Sequence, residues 1–260
     1  MKIRIEFSKT GVLKFIGHLD IMRYFQKAIR RSGIDIAYTE GFSPHQVMSF
    51  AAPLGVGLES ESEYLDIEVR RTQNSRVSME KLNAAMADGI RILSYRVLPE
   101  NAKNAMSVVA AASYRVMYKQ KEANPFTLNG LEEKIRQYIT SCPVILITKK
   151  TKKSERQINL KESIYECKTV DTPTGAGFEM LVAAGSTENI KPELVLSYFY
   201  EKSGFEYPKY DLQIIRTGVY YREESDVFFG QADGASGTTG SASRQGYRFS
   251  PLRKAGEDIV

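Results

Sequence analysis

The chain has 260 residues, 42% hydrophobic and 26% charged, enough apolar material for a sizeable core in one large or two medium domains. Its formal charge of +5 leans toward an anionic partner only where the excess is clustered. Two cysteines, Cys142 and Cys167, are too few and too far apart for a disulfide framework or a structural zinc site, and they read as thiols in a reducing compartment.

The opening "MKIRIEFSKTG" has no apolar core of a secretion signal, and no run reaches the roughly eighteen apolar residues of a membrane span. The expectation is a cytoplasmic protein without a membrane partner. In "MKIRIEFS", Ile3, Ile5 and Phe7 alternate with Lys2, Arg4 and Glu6, the period of a half-buried strand. From residue 18 to about 32 the spacing turns helical, with Leu19, Met22, Phe25 and Ile29 as the expected inner stripe and Gly33 as the stop. "VMSFAA" and "EYLDIEV" read as strands around the glycine-rich loop "PLGVGLESES". "SMEKLNAAMADG" reads as a helix capped by Ser78, and "IRILSYRVLP" as a further strand. Strand, helix, strand, strand, helix, strand is the order of a ferredoxin-like split βαβ unit over residues 1–100.

Residues 101–112 read as a linker, after which the order recurs over 113–222. "SYRVMYKQ", "VILITKK", "INLKESIYECKTV", "GFEMLVAAG" and "YDLQIIRTGVYY" are expected strand segments, more than the four strands of the first unit, so that an extra strand pair is expected here. "LNGLEEKIRQYITS" and "KPELVLSYFYEKSG" are the expected helices, the second with proline in its first turn. The fold expected is therefore α+β, two tandem ferredoxin-like domains. From 223 to 260 the chain becomes Gly/Ser-rich and poor in large apolar side chains, and a disordered tail is expected there.

Both histidines of the chain fall between residues 14 and 45. His18 starts a helix, where the dipole disfavours its charged form, and Asp20 follows in the first turn. They could serve as a general base with its carboxylate, or simply cap and complement the helix. In "EGFSPHQ", Gly41 and Pro44 build a turn from which Ser43 and His45 project toward a candidate ligand. No G-x-S-x-G elbow accompanies them. Gly55 and Gly57 could admit a phosphate, but Glu59, Glu61 and Glu63 make that loop unattractive to one. Basic residues cluster twice: Arg23, Lys27, Arg30 and Arg31 on the first helix, and Lys149, Lys150, Lys152, Lys153 and Arg156 at a hairpin tip. Such clusters, with tyrosines nearby, neutralise phosphates and stack on bases, or else form a solvated helix face and a guarded sheet edge. His18, Asp20, Ser43 and His45 are expected to converge with the helix cations on one ligand-binding hollow.

The stretch "FSKTGVLKFIGHLDIMRYFQKAIRRSGIDIAYTEGFSPHQVMSFAAPLGVGLESESEYLDIEV", residues 7–69, resembles the radical-SAM-associated family known as domain of unknown function 2344. Its pattern runs FSK-x-G, F-I-x-H-L-D, Y-x-x-GF-x-P, F-x-x-PL-x-x-G and S-x-x-E-Y-x-D. Here Lys27 and Ala28 stand where the family prefers Arg-Ala, and Ser32 where it prefers Ala. The resemblance implies a radical SAM protein as partner, which would carry an iron–sulfur cluster, S-adenosylmethionine and cobalamin. With no C-x₃-C-x₂-C run, this chain is expected to hold none of these cofactors and no metal. The leading expectation is a non-catalytic module that binds RNA or another substrate for nucleic-acid modification. The alternatives are a metal-independent RNA-processing enzyme using His18 and His45 as acid and base, and a protein-interaction subunit. The tandem architecture is similar to that of CRISPR repeat-processing endoribonucleases, in which a first-helix histidine often acts as acid or base.

Overall fold

Ile3, Ile5 and Phe7 are buried along strand β1 (Lys2–Lys9), as the alternation requires. The structure, a computed structural model, describes residues 1–150, 155–186, 188–223 and 247–260, with the side chains of 149, 150, 155 and 156 outside that description. Helix α1 (His18–Ser32) ends on Gly33, whose φ of 71° is the left-handed cap expected of it. Its buried stripe is Ile21, Phe25, Ala28 and Ile29. Leu19 corrects the expected stripe: at about 100° per residue it lies some 200° from Ile21 and is exposed. Next come β2 (Asp35–Ile36), β3 (Met48–Phe50) and β4 (Glu59–Arg71). Helix α2 (Ser75–Ala84) is capped by Asn74, whose side chain accepts from Val77 N at 2.9 Å, and not by Ser78, which lies buried inside the helix. Strand β5 (Ile90–Val97) completes the first half.

The expected linker at 101–112 holds a single helical turn, α3 (Ala105–Val108), and the start of β6 (Val109–Tyr118). Ala111 and Ala112 pair with β strands on both sides and are buried; the small residues that read as linker are what a two-sided central strand accommodates. Helix α4 (Leu128–Ile135) continues into a π turn over Arg136–Thr140, burying Leu131, Ile135 and Ile139. A separate hairpin, β7 (Leu146–Lys150) with β8 (Glu155–Asn159), is the extra strand pair. The segment read as one strand, "INLKESIYECKTV", is divided by a 3₁₀ turn at Lys161–Ser163, so β8 ends before β9 (Ile164–Thr172). β10 (Gly175–Ala183), α5 (Pro192–Ser203) and β11 (Leu212–Arg222) follow the expected order.

The expected tail is corrected at its far end; residues 224–246 lie outside the described residues. β12 (Phe249–Pro251) pairs with β11, and β13 (Glu257–Asp258) pairs with β5. Leu252 between them is fully buried, and Ile259 N donates to Ser75 Oγ at 2.8 Å. Leu252, the Phe249 ring against Tyr165 and two short pairings tie down a segment that composition alone marks as unstructured.

The protein is mixed α+β, with few helices and one large sheet in the order β13-β5-β1-β4-β11-β6-β10-β9. β3 and β2 lie along β4, and β12 along β11. Neighbours pair antiparallel except at the centre, where β11 runs parallel to the start of β4, Ile215 opposite Glu59 and Arg216 opposite Ser60. That junction joins the two halves. One core cluster includes Phe7, Phe25, Leu65 and Ile67; the other includes Tyr64, Val116, Phe178, Phe199 and Leu252. No helix among the described residues is long and apolar enough to cross a membrane.

Candidate functional site

The β1–β4 register slips between Phe7, opposite Glu63, and Lys9, opposite Ser60. The extra residue lies on β4, so β1 itself stays regular. Lys9 keeps the parity of Phe7 and reaches a small open hollow of about 20 Å³ at the N-terminal end of α1, shared with Phe7, His18, Phe50, Leu54 and Glu63. Lys9 is buried and donates from Nζ to Ile16 O at 2.9 Å. Burial pushes its pKa down, against a smaller upward pull from Glu63.

His18 stands in the first turn behind Gly17, whose position supplies no side-chain cap. Its ring meets Phe50 edge-on, centroids 5.4 Å apart. Burial, with the Lys9 charge as the second cause, holds its pKa below the usual histidine value. A neutral His18 was expected, but from the helix dipole; the neighbours that produce it lie on β1 and β3.

Glu63 receives Arg216 Nη1 at 3.2 and 3.1 Å on its two oxygens, and both side chains are buried. Arg216 Nη2 donates to Pro53 O at 3.1 Å, while its Nε has no partner among the described residues. Burial raises the Glu63 pKa and Arg216 opposes that rise. The other two carboxylates of this stretch are also paired, Glu59 with Lys14 at 3.0 Å and Glu61 with Arg115 at 3.3 Å. All three belong to β4 and not to the loop, so the expectation of a loop repelling phosphate is corrected.

His45 is not part of this hollow. It lines a second, larger cavity of about 240 Å³ with Thr39, Ser49, Asp66 and Asn104. Thr39 Oγ1 accepts from His45 N at 3.1 Å and lies 3.0 Å from Nδ1, which fixes the ring in an exposed loop. Ser43 is exposed in the same loop, and Ser43 O lies 3.4 Å from His45 Nδ1. The expected convergence of the two imidazoles on one hollow is therefore corrected. The chain between them folds as α1 and β2, carrying His45 to another cavity.

Asp20 is exposed and pairs with Arg23 at 3.5 Å. Arg23, Lys27, Arg30 and Arg31 lie on the solvent face of α1 and line neither cavity. Arg31 Nη2 donates to Ala85 O at 2.8 Å, tying α1 to the end of α2. Of the second basic cluster, Lys152 and Lys153 lie outside the described residues, as do the side chains of Lys149, Lys150 and Arg156. Among the described residues no group of three His, Cys, Asp or Glu is placed to hold a metal ion, and Cys142 and Cys167 are free thiols.

Sequence reasoning missed Lys9, Glu63 and Arg216, yet a signal existed. Lys9 continues the parity of Ile3, Ile5 and Phe7; Glu63 shares that of Leu65 and Ile67; Arg216 shares that of Leu212 and Ile214. A charged residue on the buried parity of a strand must find a partner or a ligand. What parity could not reveal is that three such positions meet. A search of curated proteins found no match. A family model described as "Uncharacterized protein conserved in bacteria (DUF2344)" matches residues 2–192, and the chain belongs to that family.

Proposed function

We propose that this protein is a non-catalytic module that binds RNA, or a substrate drawn from it, and works beside a separate radical SAM enzyme in nucleic-acid modification. The observation that carries this reading is the Lys9–His18 hollow. Arg216 engages both oxygens of Glu63, while the Lys9 ammonium, a group with three donors, has one described acceptor, Ile16 O. Phe7, Phe50 and Leu54 add an apolar wall. A desolvated cation in a hollow this small suits a single anionic oxygen, such as that of a phosphate whose remaining body lies outside it. The exposed cations of α1 begin one turn away and supply further phosphate contacts. The strand orders β5-β1-β4-β3 and β11-β6-β10-β9, each antiparallel with two long helices, support reading the halves as two ferredoxin-like units. The resemblance to radical-SAM-associated proteins supports the partner.

Filter binding of the purified protein to total tRNA and rRNA fragments tests the reading. Binding is expected to weaken steeply as salt rises, and Lys9→Met to lower affinity further. Absent or salt-insensitive binding ends it.

A second reading rests on one observation. Lys9 and His18 both have lowered pKa values beside an open hollow, as a general base requires. A metal-independent RNA-processing enzyme would then use His18 with Lys9 in place of His45. RNA left intact by the wild-type protein, under conditions where it binds, removes this alternative.

A further inference from the structure

Phe42 is fully exposed at the tip of the Thr39–His45 loop, and Tyr38 at its base is exposed as well. The loop is held at its base. Tyr38 and Gln46 form an isolated bridge, and Thr39 N donates to His45 O at 2.9 Å. Gly41, at φ 106°, makes the turn that only glycine adopts without strain. The base of the loop is also seated on α1, because Gln46 Nε2 donates to Gln26 O at 3.2 Å.

Gln26 fixes which part of the helix the loop adjoins. Arg23 and Arg30 stand three residues before and four after it, on the same stripe, with Lys27 next to them. Lys27 and Arg30 make no side-chain ion pair or hydrogen bond recorded among the described residues, and Arg23 shares its charge with Asp20 at 3.5 Å. Four cations on this helix, Arg31 included, stand against Asp20 and the loop's Glu40. The exposed ring of Phe42 adds nothing to the packing of the fold, and the base of its loop is seated on the helix that carries the basic stripe. As a binding feature the combination suits a polyanion with open aromatic faces.

We propose that this surface recognises unpaired RNA, with Phe42 and Tyr38 stacking on exposed bases and Arg23, Lys27 and Arg30 neutralising the adjoining phosphates. The inference rests on the RNA-binding reading above and makes it specific. A duplex hides its base faces within the stack and offers this ring nothing. A protein partner would leave the basic stripe without a counterpart unless it were strongly acidic. The loop is pre-organised by its own hydrogen bonds, so stacking orders little new backbone.

The test measures fluorescence anisotropy of the full chain with a labelled single-stranded RNA twelve nucleotides long and with a hairpin duplex of similar charge, in the same salt. The single strand is expected to bind at least about tenfold more tightly. Phe42→Ala should lower affinity for the single strand about tenfold while leaving the duplex unchanged, and Phe42→Tyr should restore it. Arg30→Ala should weaken both probes. Equal affinity for the two probes, or an unaffected Phe42→Ala, overturns the stacking surface and leaves RNA binding standing. No binding to either probe overturns both. Phe42→Ala that spares RNA but abolishes association with a purified radical SAM protein reassigns the loop to protein docking. An unchanged melting temperature confirms that the exposed substitution has not unfolded the chain.

Discussion

Strand β4 carries two buried acid–arginine pairs, and they differ in what surrounds them. Asp66 receives Arg4 Nε at 2.8 Å and Nη2 at 2.9 Å, and accepts Ala105 N at 2.7 Å; Arg4 also donates to Leu252 O and Lys103 O. This pair is surrounded by groups it organises: the connection into β6 and the returning C-terminal segment. Glu63 and Arg216 are equally buried, yet Arg216 Nε lacks a described partner and Glu63 borders a hollow shared with Lys9 and His18. A pair with every bond made holds a fold together. A pair left incomplete beside an opening is where a ligand can contribute. The difference lies in satisfaction alone, because burial is the same and Asp66 too borders a cavity.

The largest effect expected from this contrast is on Arg4. Arg4→Ala would leave Asp66 buried without its counter-charge and should cost about 3–5 kcal/mol, read as a fall in the denaturant midpoint. A loss near that of an exposed pair would show that the Arg4–Asp66 cluster is not the clamp described.

The second effect concerns His18. Its pKa in the folded protein lies below the ordinary value of 6.5, so between those two values the unfolded chain binds more protons than the folded one. Stability should therefore rise with pH through that window and fall as pH drops below 6.5. His18→Gln should remove that part of the slope. Lys9→Met should raise the His18 midpoint in an NMR titration only in part, since burial is the larger cause. A midpoint unmoved by Lys9→Met would separate the two residues electrostatically and break the site.

The smallest effect is at an exposed pair. Arg76 and Glu80 lie four apart on α2 at 2.9 Å, both well exposed. Arg76→Ala should cost no more than about 0.5 kcal/mol, a shift in midpoint an order of magnitude below that of Arg4→Ala. Comparable losses at the two arginines would mean that burial does not govern these pairs.

Much of the fold was legible locally. The alternation of β1, the helical run closed by Gly33 and the proline that opens α5 all follow from periodicity and capping over a few residues. Long-range packing was not legible. "VVAAAS" resembles a linker because alanine has little side chain, and it becomes a central strand only with neighbours on both sides. The segment from Tyr247 to Val260 is ordered by Leu252 and by edges belonging to β11 and β5.

The site divides along the same line. His18 was found from its rarity and its place at a helix start, while His45, singled out on the same grounds, belongs to a different cavity. Lys9, Glu63 and Arg216 each occupied an apolar parity, yet residues 153 positions apart meet only because β11 lies parallel to β4.

The sequence by itself determined the periodic elements with clear caps and the chain's two basic clusters, because periodicity, caps and charge are properties of neighbouring residues. The tertiary structure alone decided which charges are buried together, which histidine faces a cation and where the chain's end returns. Those outcomes depend on contacts between distant segments, and desolvation acts on a charge only once the rest of the protein has closed around it.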